Sequence, residues 1–285
     1  MKTATNLLTA AAAILAATTV FASAQERVVN VYNWSDYIDE EILTDFTEET
    51  GIKVVYDVFD SNEVLETKLL AGGTGYDIVV PTCTFLANQI KAGVFQKLDK
   101  DKLPNLSNMD PAISERLAKY DPGNEYAINY MWGTTGLGIN VDKVKEALGE
   151  DAELDTWDLL FDKETADKLA GCGIFMLDAP TETFPAAKNY LGIDPDAKDS
   201  ESIEKAKEKL LEIRPAVRKF HSSEYINALA NGDICMAMGW SGDVLQARDR
   251  AAEADAGVTV DYIIPKEGAL MWFDNMAIPT DAPHV

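Results

Sequence analysis

Three short stretches of the sequence set an indole close to a carboxylate: Trp34-Ser35-Asp36, Trp240-Ser241-Gly242-Asp243 and Trp272-Phe273-Asp274. An aromatic face attracts an ammonium group by roughly 0.5–2 kcal/mol and covers an alkyl chain at the same time. A carboxylate adds a charge-assisted hydrogen bond worth roughly 1.5–3 kcal/mol. The chemistry offered is recognition of an organic cation. The same acids admit a plainer use, because Asp36 and Asp243 each stand before a helical stretch and could be N-caps. Trp157-Asp158 shows that plainer pattern, with Thr156 and Asp158 as helix-start residues, and is read as structural.

Catalytic signatures are weak beside this. Gly239-Trp240-Ser241-Gly242 begins like a hydrolase elbow, but that pattern needs glycine at 243, where aspartate stands, and His221 is the only well-placed base candidate. No Gly-Lys-Ser/Thr exists for a phosphate-binding loop, and Gly72-Gly73-Thr74-Gly75 reads as a helix stop and turn. The glycines at 133–138 lack the order of a dinucleotide fingerprint. The 48 acidic residues offer many pairs to a glycosidase, yet nothing local marks two of them as acid and nucleophile. With two histidines and no CxxC pair, neither a structural metal nor any cofactor is expected. A net charge of −23 repels nucleic acid and favours cationic partners.

The elements that must position these residues follow from periodicity. The apolar, β-branched run at 28–34 reads as a buried strand ending in Trp34-Ser35-Asp36. A helix follows, with acids in its first turn, Ile38, Ile42, Leu43 and Phe46 as its buried stripe and Gly51 as its stop. A strand at 52–59, a helix at 62–71 and a strand at 76–80 broken by Pro81 complete a strand–helix alternation. That spacing calls for a parallel, doubly wound α/β sheet with Asp36, Ser61 and Thr82 along one edge, where such sheets bind ligands. The segment 98–122 is loop-rich, and the Gly-punctuated segment 129–140 suits a passage between two lobes. Helices are expected at 165–169, 201–213, 223–231 and 243–252, and a returning strand at 258–264.

Lys2, an apolar core at 7–21 and the small residues Ala22-Ser23-Ala24 form a cleavable secretory signal over 1–24. The organisation expected is therefore signal 1–24, first lobe 25–133, second lobe 134–257 and a return into the first lobe over 258–285. Of the three cysteines, Cys83, Cys172 and Cys235, export permits one pair, which spacing alone does not choose.

Longer stretches carry a resemblance: Tyr32-Asn33-Trp34-Ser35-Asp36-Tyr37-Ile38, residues 51–65 and 77–81, Tyr130-Met131-Trp132, His221-Ser222-Ser223, Asn231-Gly232-Asp233-Ile234-Cys235 and Ile264-Pro265-Lys266-Glu267-Gly268. Over 28–279 the chain resembles the periplasmic polyamine-binding receptors of spermidine/putrescine ABC transporters, the putrescine-specific branch above all. The resemblance implies a type II periplasmic-binding fold, two α/β lobes closing on ligand across a hinge. It also implies a monomeric periplasmic receptor, not an enzyme, that hands its polyamine to an inner-membrane permease. In that family Trp34 and Tyr37 flank the alkyl chain, Ser35 and Thr82 position the ligand, and Asp36 lies near an ammonium end. Glu182 comes from the second lobe, Trp240 and Asp243 match a site pair, and Asp274 binds an ammonium. Trp272 stands where the putrescine-specific receptor has Phe and is similar to spermidine-preferring relatives. Cys172 and Cys235 match a family disulfide, which leaves Cys83 a buried thiol. Family members continue past the position of Pro279, so the chain is read as shortened, with apolar surface of the first lobe left uncovered.

Overall fold

The computed structural model describes residues 27–285; the signal expected at 1–24 lies outside the described residues. The first lobe opens with β1 (Val28–Trp34), α1 (Glu40–Thr50), β2 (Lys53–Phe59), α2 (Asn62–Ala71) and β3 (Ile78–Val79). As the alternation requires, β1 pairs in parallel with both β2 and β3. Caps set the helix ends: Asp39 accepts from the Glu41 amide, Gly51 closes α1 at φ 66°, and Ser61 accepts from the Val64 amide at the start of α2. Helix α3 (Cys83–Lys91) follows, and 3-10 turns at Lys100–Lys102 and Pro104–Asn108 with α4 (Pro111–Leu117) fill the loop-rich stretch.

The chain then runs through β4 (Ala127–Asn140), whose 14 residues serve both lobes. Helices α5 (Val141–Leu148), α6 (Asp158–Phe161) and α7 (Lys163–Leu169) lead to β5 (Ile174–Met176), α8 (Pro180–Tyr190) and α9 (Ser200–Ile213). Next come β6 (Val217–Phe220), α10 (Tyr225–Ala230), β7 (Met236–Trp240), α11 (Ser241–Glu253), β8 (Val260–Ile263) and β9 (Leu270–Ala277). The nine-stranded sheet has the order β2-β1-β3-β9-β4-β7-β5-β6, with β8 paired to β4 off this path. The first half of β4 pairs antiparallel with β9, and its second half with β7 and β8. The lobes thus meet on two long, mutually bonded strands.

Each lobe has its own apolar core. Tyr32, Trp34, Phe59, Leu65, Val79 and Leu86 pack the first, and Leu137, Ile139, Trp157, Phe161, Ile174 and Met236 the second. Trp157 is buried, and its indole nitrogen donates to the Gly268 carbonyl at 2.8 Å, in keeping with a structural role.

Several expectations need correction. The strand at 258–264 exists as β8, but it pairs with β4 at Leu137–Asn140; β9 makes the return, through Ala277 beside β3. Helices α3, α5 and α8 and strands β5, β6, β7 and β9 were not foreseen, and α6 only through its helix-start residues Thr156 and Asp158. Ile174-Phe175-Met176 is buried on both faces, so it shows no alternation, and α8 carries Pro185 inside, which masks a helical pattern. The stripe of α1 is not buried: Ile42 is 53% and Phe46 40% exposed. Val55, Val58, Val64 and Leu70 are exposed as well. Periodicity shows that a face is apolar; it does not name what lies against it.

Cys172 and Cys235 form a disulfide with Cα atoms 5.4 Å apart, while Cys83 is free and buried. The bond ties the end of α7 to the start of β7 across 63 residues of the second lobe. A cross-link closing a loop of that size is worth about 4 kcal/mol through the unfolded state. Replacing both cysteines by serine should therefore lower the unfolding free energy by up to about 4 kcal/mol in urea titration. An unchanged midpoint would show that the bond carries no stability.

Candidate functional site

The carboxyl ends of β1 and β3, the start of α11 and the strand β9 converge on a cleft of about 540 Å³ of empty space. Trp34, Ser35, Tyr37 and Thr82 line it from the first lobe, Glu182, Trp240 and Asp243 from the second, and Trp272 and Asp274 from β9. Of the predicted site residues, only Asp36 is not among its lining residues.

Each lining carboxylate from the predicted set is held by hydroxyl donors. Asp274 is 4% exposed; the Thr82 hydroxyl donates to its Oδ1 at 2.6 Å and the Tyr37 hydroxyl to its Oδ2 at 3.0 Å. Burial pushes its pKa up to about 7 against those two bonds, with Glu182 and Asp243 adding like-charge repulsion. Glu182 accepts from Thr135 Oγ1 at 2.6 Å, and burial raises it to about 6. Asp243 accepts from the Tyr225 hydroxyl at 2.6 Å; burial again lifts it to about 6, helped by Asp36 and opposed by Arg250. No lysine or arginine stands among the lining residues. The lining thus gathers several acids and no basic side chain of lysine or arginine.

The aromatic walls are fixed by packing. Trp34 is buried, donates from Nε1 to the Val80 carbonyl at 2.9 Å, and meets Trp240 edge-on at 5.6 Å between ring centroids. Tyr37 meets Tyr130 in the same edge-on manner. The Trp272 indole nitrogen and the Ser222 hydroxyl, both in the lining, are enclosed without a protein hydrogen-bond partner.

Neither Asp36 nor Asp243 is an N-cap; Asp39 and Trp240 occupy those positions. Asp36 adopts a left-handed φ of 54°, tolerable for aspartate, and its Oδ1 accepts from Arg250 Nη2 of α11 at 2.5 Å. Gln246 of the same helix donates to the Asp36 carbonyl at 3.0 Å. The residue joins the lobes outside the cleft.

Sequence reasoning missed several contributors. Asn62 lines the cleft and clamps Thr82, accepting from its amide at 3.0 Å and donating to its hydroxyl at 2.9 Å. It follows Ser61, the strand-end residue already placed on that edge. Asp60 and Ser222 also line the cleft. Thr135 and Tyr225 act behind the carboxylates, and no local pattern distinguishes them from core residues.

No helix among the described residues is long and apolar enough to cross a membrane, and none of their acidic, histidine or cysteine side chains group in a way that could hold a metal ion. Residues 41–285 match the family described as bacterial extracellular solute-binding protein. A putrescine-binding periplasmic protein of Pseudomonas aeruginosa is 58% identical over 262 residues, 92% of this chain and 71% of its own length. A putrescine-binding periplasmic protein of Escherichia coli is 55% identical over 275 residues, 96% of this chain and 74% of its own. Among solved structures, a lipoprotein of Treponema pallidum superposes with a TM-score of 0.77 at 29% identity, over 90% of this chain and 76% of that one. The spermidine/putrescine ABC transporter substrate-binding protein of Streptococcus pneumoniae follows with a TM-score of 0.69 at 32% identity, covering 90% of this chain and 74% of that one. The chain belongs to the bacterial extracellular solute-binding protein family, with the two-lobed type II periplasmic-binding fold.

Proposed function

We propose that the protein is a non-catalytic periplasmic receptor that captures putrescine, or a related polyamine, and delivers it to an ABC permease. The observation that carries this reading is the set of desolvated acids Glu182, Asp243 and Asp274, flanked by indoles, with no cationic side chain in the lining. Two ammonium ends would take up this negative charge while Trp34, Trp240, Tyr37 and Trp272 cover the methylenes. Ser35 and Thr82 would position the ligand. Burying four methylenes gives about 3 kcal/mol. Charge-assisted bonds and cation–π contacts add several more. After about 4 kcal/mol or more for lost freedom, micromolar affinity or better results.

Closure is the mechanism that the placement supports. The lobes would divide at 133/134 and 257/258 and turn about β4 and β9, and ligand would favour the closed state through contacts made to both sides. The Asp36–Arg250 pair would add to closure without touching ligand. A second reading, a spermidine-preferring receptor, draws on the third carboxylate, which a diamine leaves without an ammonium, and on the indole at 272. The strong identity to relatives described as putrescine-binding favours the diamine.

Calorimetric titration with putrescine and then spermidine decides between these readings. One-to-one putrescine binding with far weaker spermidine supports the diamine receptor, the reverse order supports the second reading, and no heat from either refutes both. Asp274→Asn should weaken putrescine binding by well over tenfold with the fold intact by circular dichroism; unchanged affinity would remove Asp274 from the site.

Affinity should rise with pH between about 5 and 8. Each carboxylate must lose a proton to meet an ammonium, and the free protein holds those protons up to about pH 6 for Glu182 and Asp243 and about pH 7 for Asp274. Binding near pH 6.5 should release protons, read as heats that differ between buffers of different ionisation enthalpy; buffer-independent heats would contradict it. Stability without ligand runs the other way. Because Asp274 is raised from about 3.9 to about 7, the folded state holds a proton that the unfolded chain has lost, so its contribution falls as pH climbs through that window.

Arg250→Ala and Asp36→Ala separate latch from ligand contact. An ion pair whose partners are 35% and 39% exposed is worth about 0.2–1 kcal/mol, so each change should cost no more than about fivefold in putrescine affinity. A loss beyond thirtyfold in Asp36→Ala alone would return that residue to the ligand.

A further inference from the structure

Strand β4 carries Gly133, Gly136 and Gly138, and none of them has a positive φ. Their backbone conformation is open to any residue, while glycine inside a strand weakens it. What they supply is room. A Cβ on Gly133 would lie 2.5 Å from Cζ2 and 2.7 Å from Cη2 of Trp272, and 2.6 Å from Ser241 Oγ. Gly133 and Trp272 face each other across the β4–β9 ladder, and Trp272 lines the cleft. Both contacted ring atoms belong to the six-membered half of the indole. The other half offers no anchor, because Trp272 Nε1 is enclosed without a hydrogen-bond partner. The orientation of this wall therefore rests on packing, and part of that packing is against the bare backbone at 133.

We propose that Gly133 is a specificity-determining residue of the cleft: its missing side chain is the seat of the Trp272 ring and so fixes how far the indole reaches into ligand space. The inference rests on the polyamine-receptor reading of that cleft. With a methyl group at 133 the ring must retreat by about 1 Å to regain ordinary carbon–carbon contact. The free space beside it is the cleft itself. Phenylalanine has no counterpart to Cζ2 and Cη2, so Trp272→Phe makes the room that Gly133→Ala takes away. Ser241 Oγ sits on a single rotatable bond and can turn aside, at the expense of a long 3.3 Å bond from the Thr134 amide.

The test is a double-mutant cycle in the full chain, read by putrescine titration and by ligand-free crystal structures. Gly133→Ala should lose at least tenfold in affinity, with the indole displaced. Gly133→Ala with Trp272→Phe should recover to within about threefold of Trp272→Phe alone, whereas Gly133→Ala with Ser241→Ala should not recover. Parental affinity with an unmoved indole in Gly133→Ala would overturn the proposal, as would rescue by Ser241→Ala in place of Trp272→Phe. Should Gly133→Ala fail to fold, the pair with Trp272→Phe must fold and bind; its failure also overturns the proposal. If the unaltered protein binds neither putrescine nor spermidine, the receptor reading falls, and the ring positions in the two ligand-free structures still decide whether Gly133 seats Trp272.

Discussion

A carboxylate withdrawn from water without a cation beside it is the constraint on which this structure turns. Asp274 meets it with two hydroxyl donors, and these come from distant parts of the chain: Tyr37 just beyond β1 and Thr82 just beyond β3. For both to reach one aspartate on β9, β1, β3 and β9 must be neighbours in that order, as they are. Thr135 on β4 does the same for Glu182, and Tyr225 at the start of α10 for Asp243. Neutral donors hold the acids in place but leave their charge uncancelled, so part of the electrostatic cost stays in the empty cleft. On the proposed reading, a cationic ligand would release that cost.

The aromatic walls answer a different requirement. An indole contributes to recognition only if it is held at one angle, and the protein holds its indoles by two means. Trp34 has a backbone carbonyl for its N–H and an edge-on partner in Trp240. Trp272 has neither and relies on the close approach of β4. The same economy of space recurs behind the carboxylates, where a Cβ on Gly239 would lie 2.6 Å from the Tyr225 ring, whose hydroxyl holds Asp243.

Much of the first lobe was legible because its strands and helices carry one-sided patterns bounded by caps: Ser61, Gly51 and Pro81 fall where the elements end. The second lobe was less so. β5 and β7 are buried on both faces, α8 contains a proline, and α6 is a single turn, so no period survives to be read. The indole–acid pairing led to Asp243 and Asp274, since both halves of each pair reach the cleft. At Asp36 the structure shows a left-handed turn and a pairing with Arg250, which no spacing rule registers. The hydroxyl donors were illegible for a deeper reason: Thr135 and Tyr225 gain their role only from what the fold brings beside them. The resemblance pointed to cleft-lining residues, including Glu182, where local pattern was silent.

The separations along the chain at Asp274 have a consequence for biogenesis. Its two hydroxyl partners lie 237 and 192 residues earlier in the sequence, so the β9 strand that bears it is synthesised well after both. Contacts of such long range form late, since chain closure precedes their reward. The ligand-binding cleft is therefore among the last features to assemble, and ligand has little to grasp on an immature chain. A ligand held there would slow unfolding while leaving the rate of folding almost untouched.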